Sequence, residues 1–308
     1  MINRVIIRSK VLQILYSAYR KESKDLKLME SELLFSFQKS YDLYHYLLLL
    51  IPHLTNLEEK RLDIRRRKHL ATEEEKNPNT RFVNNRLASQ LAENEMLRTF
   101  FSEKGSIWME ESGFTKKLLD QIIESDIYKN YLTTPDNYDS DKSFWKQAFK
   151  MFIYNNEELD DLLEDSSIYW NDDVEIIETF AMKTIKHMEE SSQSNLELLP
   201  MFRYSDDREF AIRLLRETLI NADQQKDLVE AHVKNWEVDR LSGIDLYIMQ
   251  MAITEMLTFD SIPLTVTLNE YLDLAKVFST NKSAFFINGI LDAVITDLRA
   301  QNRLFKLN

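Results

Sequence analysis

Apolar residues recur along this chain at intervals of three and four. Near the N-terminus Val11, Leu15, Ala18 and Tyr19 share one face of a helix. Further on Val83, Leu87 and Leu91 repeat at four, and Val174, Ile177, Ala181 and Met188 keep helical spacing. Leu264, Leu268, Tyr271, Ala275 and Phe278 form a third stripe, and Ile287, Leu291, Val294 and Leu298 a fourth. These patterns predict amphipathic helices, and no sustained alternation of the β-strand kind competes with them. Polar stretches at Thr72–Thr80, Thr133–Lys142 and Glu189–Asn195 separate the periodic segments. No internal repeat is visible.

Helix boundaries are marked best in the C-terminal part. Pro263, just after Ser261, suits a first helical turn, and Ser283 before an apolar run suits an N-cap. Gly289 falls inside the last predicted helix, where glycine costs about 1 kcal/mol relative to alanine. The expectation is a close approach to that backbone, by a neighbouring helix before a ligand.

Composition agrees with an all-α fold. Only four glycines and five prolines occur in 308 residues, too few for the turns of a β-sandwich or for glycine-rich nucleotide loops. The absence of cysteine excludes disulfides and thiolate-ligated metals. The five histidines, at 45, 53, 69, 187 and 232, lack ligand spacing, and neither a nucleophile elbow nor a P-loop is present. Adjacent acidic pairs such as Asp160-Asp161 diverge on a helix. The expectation is a protein that is not an enzyme, with no cofactor, no metal and no small-molecule substrate. Met1 to Tyr19 lacks the apolar core of a signal peptide, and the run Tyr46 to Ile51 is far short of the ~18 residues of a membrane span. A cytoplasmic protein with no membrane partner is expected.

Net charge is −12, which argues against a polyanionic partner until its distribution is considered. Acidic side chains concentrate between Glu157 and Glu190, whereas residues 1–27 carry seven basic residues against Glu22 and Asp25. Exposed charges are screened over roughly 8 Å at physiological salt, so a basic end can act independently of a remote acidic lobe. On a helix, Arg4 and Arg8 fall on the apolar side with Val11, Leu15 and Tyr19. Unpaired guanidiniums cannot be buried there. Either the helix starts after them, or its first turns overhang the core and offer both to an anion. Snorkelling to solvent is the plain alternative.

The segment Asn3-Arg4 through Arg8, followed by Lys10-Val11-Leu12-Gln13-Ile14-Leu15-Tyr16, resembles the opening helix of NusB proteins. A C-terminal block carries the resemblance further. It runs Trp236-Glu237-Val238-Asp239-Arg240, Ile244-Asp245, Ala252, Glu255, Ser261-Ile262-Pro263, Asn269-Glu270, Leu274-Ala275-Lys276 and Phe278, and ends with Ser283 and Phe286-Ile287-Asn288-Gly289-Ile290-Leu291-Asp292. The resemblance implies a NusB-like helical bundle formed by residues 1–59 and 202–308, with residues 60–201 a helical insertion of unknown role. It also implies a transcription antitermination factor that binds boxA-type single-stranded RNA of ribosomal-RNA transcripts. Its partners would be NusE, a small-subunit ribosomal protein, and the RNA polymerase elongation complex.

Carried over by position, Arg4, Arg8 and Lys10, with Lys282, Ser283 and Phe286 at the start of the last helix, would contact RNA. Tyr16 and Asp245 would lie near NusE. Tyr16 and Phe286 also fit as ordinary core aromatics. Two features depart from the family pattern: Val5-Ile6-Ile7 dilutes the arginines, and Gln250 stands where relatives carry arginine. Other readings therefore stay open, a NusB-like interaction scaffold without RNA binding or a module of the kind attached to RNA methyltransferases. The basic run Lys60 to Lys68 reads sooner as a solvated helix face or a mobile linker than as an RNA contact. The insertion is expected to tune partner choice, and not to form the RNA site.

Overall fold

A computed structural model describes residues 1–21, 25–233 and 243–306. The motif Trp236 to Arg240 lies outside the described residues. Within them the chain is helical and contains no strand, and a single parallel bridge pairs Ile2 with Phe202. The all-α expectation is met. No helix of the described residues is long and apolar enough to cross a membrane.

In chain order, α1 (Arg4–Arg20) and the long α2 (Leu26–Arg66) are followed by α3 (Glu73–Lys76), α4 (Arg86–Glu93), α5 (Glu95–Lys104), α6 (Ile107–Glu110), α7 (Ser112–Glu124), α8 (Asp126–Tyr131) and α9 (Tyr138–Ala148). A π turn (Phe149–Ile153) extends α9, and α10 (Glu157–Ser166) and α11 (Val174–His187) come next. After a 3-10 turn (Glu190–Asn195), α12 (Asp207–Ile220), α13 (Ala222–Glu230), α14 (Gly243–Thr258), α15 (Leu264–Phe278) and α16 (Asn281–Ala300) complete the order. The polar stretch Thr72–Thr80 is not bare linker, because Thr72 and Glu75 form a reciprocal capping box that supports α3.

The chain divides into two compact units, Met1–Phe37 with Met201–Asn308, and Gln38–Pro200. The sequence-based division at 59/60 falls within α2.

In the first unit α14 is the central helix. Its consecutive residues Ile248 to Met256 are all buried, and it packs with α1, α12, α13, α15 and α16. A helix buried on every side must satisfy its own polar groups. Thr254 Oγ1 accepts hydrogen bonds from Thr218 Oγ1 (3.1 Å) and Gln225 Nε2 (2.6 Å), and Gln250 Nε2 donates to the Ala222 carbonyl (2.8 Å). Gln250 is therefore a buried tie between α13 and α14.

In the second unit helices start repeatedly on asparagine. Asn85, Asn94, Asn137 and Asn156 each accept from backbone N–H groups at the starts of α4, α5, α9 and α10. Such caps contribute about 1 kcal/mol each. The core is aromatic, with Phe82, Tyr128, Phe144 and Trp145 in mutual contact and Trp108 donating its indole N–H to the Tyr46 carbonyl at 2.6 Å. The basic run after Lys60 is largely paired inside this unit: Arg61 with Asp120, Arg65 with Glu58, Lys68 with Glu75. That supports a helix face neutralised by its own carboxylates.

Glu178 of α11 is fully buried. Its Oε2 accepts from the Asn155 backbone N–H (3.1 Å), while its Oε1 has no partner. Burial raises its pKa to about 8, the Asn155 bond opposing and nearby Asp160 and Glu175 adding to the rise. The native state thus holds a proton there that the unfolded chain releases near 4.5. Stability from this group is complete below pH ~4.5 and declines as pH rises toward about 8. Urea unfolding across that window should show the decline, and Glu178→Gln should remove it without loss of stability at neutral pH; an unchanged pH dependence would contradict the protonated assignment.

Candidate nucleic-acid and partner interface

α1 begins immediately after Asn3, whose side chain accepts from the Val5 and Ile6 N–H groups at 3.0 and 3.2 Å. The helix therefore includes both arginines, against the expectation that it starts after them or overhangs the core. The arginine side is buried and compensated. Arg8 Nε and Nη2 donate to the two carboxylate oxygens of Glu255, both at 2.8 Å, and Nη1 donates to Glu270 at 3.0 Å. Thr267 and Tyr271 hydroxyls also donate to Glu255, at 2.9 and 3.1 Å. Burial alone would lower the Arg8 pKa, but the hydrogen bond and charge of Glu255 outweigh it and hold the group above its ordinary value. The side chain is 4% exposed.

Arg8 is accordingly a core residue in this conformation, with three of its N–H groups donating to carboxylates and almost no surface left to a phosphate. Lys10 is buried as well and is not offered to solvent. Arg4 is intermediate. Its side chain is 30% exposed, pairs with Asp206 (2.9 Å) and Asp207 (3.4 Å), and lies over the Phe210 ring.

Around Arg4 the structure adds residues far away in sequence. Ile2 N donates to the Met201 carbonyl (2.7 Å) and Arg203 N to the Ile2 carbonyl (2.8 Å), so the bridge brings Arg203 and Tyr204 beside the start of α1. A cleft of about 300 Å³ results, lined among others by Arg4, Arg203, Tyr204, Val266 and Glu270. Arg203 is exposed, stacks on the Tyr204 ring, and takes no ion pair among the described residues. Periodicity carries no signal for these two residues, since only the tertiary pairing makes them neighbours of Arg4.

The second cluster is at the start of α16. Thr280, not Ser283, is the N-cap: its hydroxyl accepts from the Ser283 N–H at 3.0 Å. The Ser283 hydroxyl is engaged with Ser279 and Thr280. Lys282 is exposed, Phe286 is half-buried, and the exposed aromatic is Phe285, at 83%. Phe285 was legible in principle, because it lies about 200° around the helix from the buried Ile287. Gly289 is exposed too, and a Cβ there would meet nothing within 4 Å. The expected close approach of a neighbouring helix is therefore absent. Lys282, Phe285 and Gly289, spaced three and four apart, form one open face.

Of the residues assigned to a protein partner, Tyr16 is 36% exposed beside Tyr19 at 56%. Asp245, in the first turn of α14, is buried. A Cβ at Gly243 would approach the Tyr19 ring to 3.3 Å, so glycine allows α14 to start close against α1.

Unit one is thus a helical bundle that carries cationic and aromatic groups on its surface and pairs the buried Arg8 with the buried Glu255. It contains 20 acidic and 19 basic residues, so nearly all of the net negative charge belongs to the other unit. Residues 173–296 match the family model described as NusB family. The transcription antitermination protein NusB of Salinibacter ruber is 39% identical over 108 residues, covering 35% of this chain and 68% of that protein. That of Desulfatibacillum aliphaticivorans is 32% identical over 131 residues, 41% of this chain and 92% of the relative. The Natranaerobius thermophilus protein of the same name is 47% identical over 78 residues, 25% and 56% respectively. The chain belongs to the NusB family. α1 lies outside the span matched by the family model.

Glu255→Gln should leave the buried Arg8 charge with only the partly exposed Glu270 to oppose it, at a cost approaching the roughly 3–5 kcal/mol of breaking a buried pair. Arg8→Met combined with Glu255→Met should cost less than the two single changes together. Urea unfolding of the four proteins measures this, and strict additivity would count against a coupled pair.

Proposed function

We propose that the protein is a transcription antitermination factor that binds boxA-type single-stranded RNA of ribosomal-RNA transcripts together with NusE, and that it joins the RNA polymerase elongation complex through that pair. Family membership supports the class. The observation that carries the RNA part is the open face of Lys282, Phe285 and Gly289 on α16. Single-stranded RNA is held by cations on phosphate and by aromatic rings stacked on splayed bases. Lys282 supplies the first and Phe285 the second, and Gly289 lets a nucleotide approach the helix backbone. Arg203 and Tyr204 offer the same pairing of cation and ring beside Arg4. In this reading Arg8 holds the start of α1 in place from beneath.

Tyr16 and Tyr19 are the surface we assign to the protein partner, with Asp245 supporting the helix start behind them. The role is regulatory and not enzymatic. The unit Gln38–Pro200 would select partners without forming the RNA site.

A second reading has an observation of its own. Arg8 and Lys10 are buried and Arg4 is paired with Asp206, which favours an interaction scaffold that does not bind RNA.

Electrophoretic mobility shift with a boxA-type RNA, with and without NusE, separates the two. Under the RNA reading, Lys282→Ala and Arg203→Ala weaken binding and each lowers the slope of log K against log salt by a little under one unit. Phe285→Ala should weaken binding by about 1–3 kcal/mol with the slope nearly unchanged, since stacking releases few counterions. If none of the three departs from the unaltered protein, the surface is wrong. Gly289→Ala should raise thermal stability by about 1 kcal/mol while weakening RNA binding, a combination that a purely structural glycine would not give.

A further inference from the structure

The unit Gln38–Pro200 contains a concavity of about 420 Å³ between α2, the end of α4, α5 and the start of α6. Its apolar wall is made by Leu49, Leu57, Leu97, Phe101 and Met109. Phe101 and Met109 are 45% and 65% exposed, although they stand beside this recess. Pro52 and His53 of α2 also line it. The volume lies within the range of small-molecule sites, which are mostly apolar with a few convergent polar groups.

Its charge is unlike that of the unit around it. Residues 38–200 contain 31 acidic and 20 basic side chains. The recess is lined by Lys60 and Arg98 and by no carboxylate. Both cations are exposed, and among the described residues neither takes an ion pair. The neighbouring cations Arg61, Arg65, Lys104 and Lys117 are all engaged by acids. His53 is kept neutral at neutral pH by burial and by the Lys60 charge, so it adds a polar atom and not a third cation.

We propose that this recess binds a free anionic amphiphile, with its apolar body against Leu49, Leu97, Phe101 and Met109 and its carboxylate between Lys60 and Arg98. The two halves of the ligand answer two separate features of the site. The apolar wall accounts for affinity, and the unpaired cations account for selection of an anion over a neutral or cationic molecule of the same length. A role for the insertion follows that does not depend on RNA: ligand occupancy would alter a surface of unit two.

The test uses the full chain and three ten-carbon probes below their micelle concentrations, decanoate, decanol and decyltrimethylammonium, followed by isothermal titration calorimetry. Decanoate should bind saturably at one per chain, roughly tenfold more tightly than decanol, while the cation should not bind measurably. Lys60→Ala with Arg98→Ala should bring decanoate down to the affinity of decanol. Ala92→Trp, at an exposed position on the rim, should fill the recess and reduce binding of both, with the near-ultraviolet circular dichroism of each variant confirming an intact fold. Equal affinity for all three probes, a stoichiometry well above one, or binding indifferent to these substitutions would overturn the proposal. So would cosedimentation with anionic lipid vesicles in place of saturable binding of the free probe.

Discussion

The first unit depends on one buried ion pair. Arg8 enters the apolar side of α1, where an uncompensated charge would cost several kcal/mol, and the fold meets it with both oxygens of Glu255. Because Glu255 belongs to the central helix α14, the pair fixes the N-terminal helix against the C-terminal block across 247 residues of sequence. Thr267 and Tyr271 of α15 complete the coordination of the same carboxylate. Lys306 donates separately to the backbone carbonyls of Glu255 and Phe259 near the end of α14, at 3.0 and 2.5 Å. Each of these groups would be unfavourable in the interior alone, and together they satisfy one another. Such a network is weak evidence of high stability but strong specification of which helix packs where.

That arrangement has a functional consequence. Charges committed to the core are not available to a ligand, so the cations that remain outside decide what the bundle can bind. Arg203 reaches the α1 corner through the Ile2–Phe202 bridge, and Lys282 stands beside Phe285 on α16. Both places combine a cation with an exposed ring. Arg4 sits between the two conditions, half-exposed yet paired with Asp206 and Asp207, so a phosphate there would have to displace a carboxylate. Nearly all of the net negative charge lies in residues 38–200, which leaves the bundle almost neutral and its local cations unopposed by an overall excess of acid.

The second unit handles its charges differently. Asp120, Glu58 and Glu75 pair with the basic run after Lys60, while Glu178 is buried without a cation and keeps its proton instead. Desolvation without a compensating cation drives this carboxyl toward its neutral form. Glu255, equally buried, differs in its surroundings, with the Arg8 guanidinium on both of its oxygens.

Local periodicity determined the all-α class and the stripes on α11, α15 and α16, because helix formation answers to spacing that any short window contains. The family was legible for the same reason: its motifs are runs of neighbouring residues. The same spacing would have turned Phe285 outward had the phase of the last helix been followed one step further. Other features needed the folded chain. Whether Arg8 is a ligand contact or a core residue turned on Glu255, and nothing within α1 indicates that partner. Gly289 looked like a point of close packing and proved open, since helix phase does not tell how near the next helix lies. Arg203 and Tyr204 joined the α1 corner by a pairing across 200 residues, and the cationic recess of the second unit required four helices to converge. Sequence sets what each segment prefers, but burial and pairing are properties of segments brought together, and only the tertiary structure decides them.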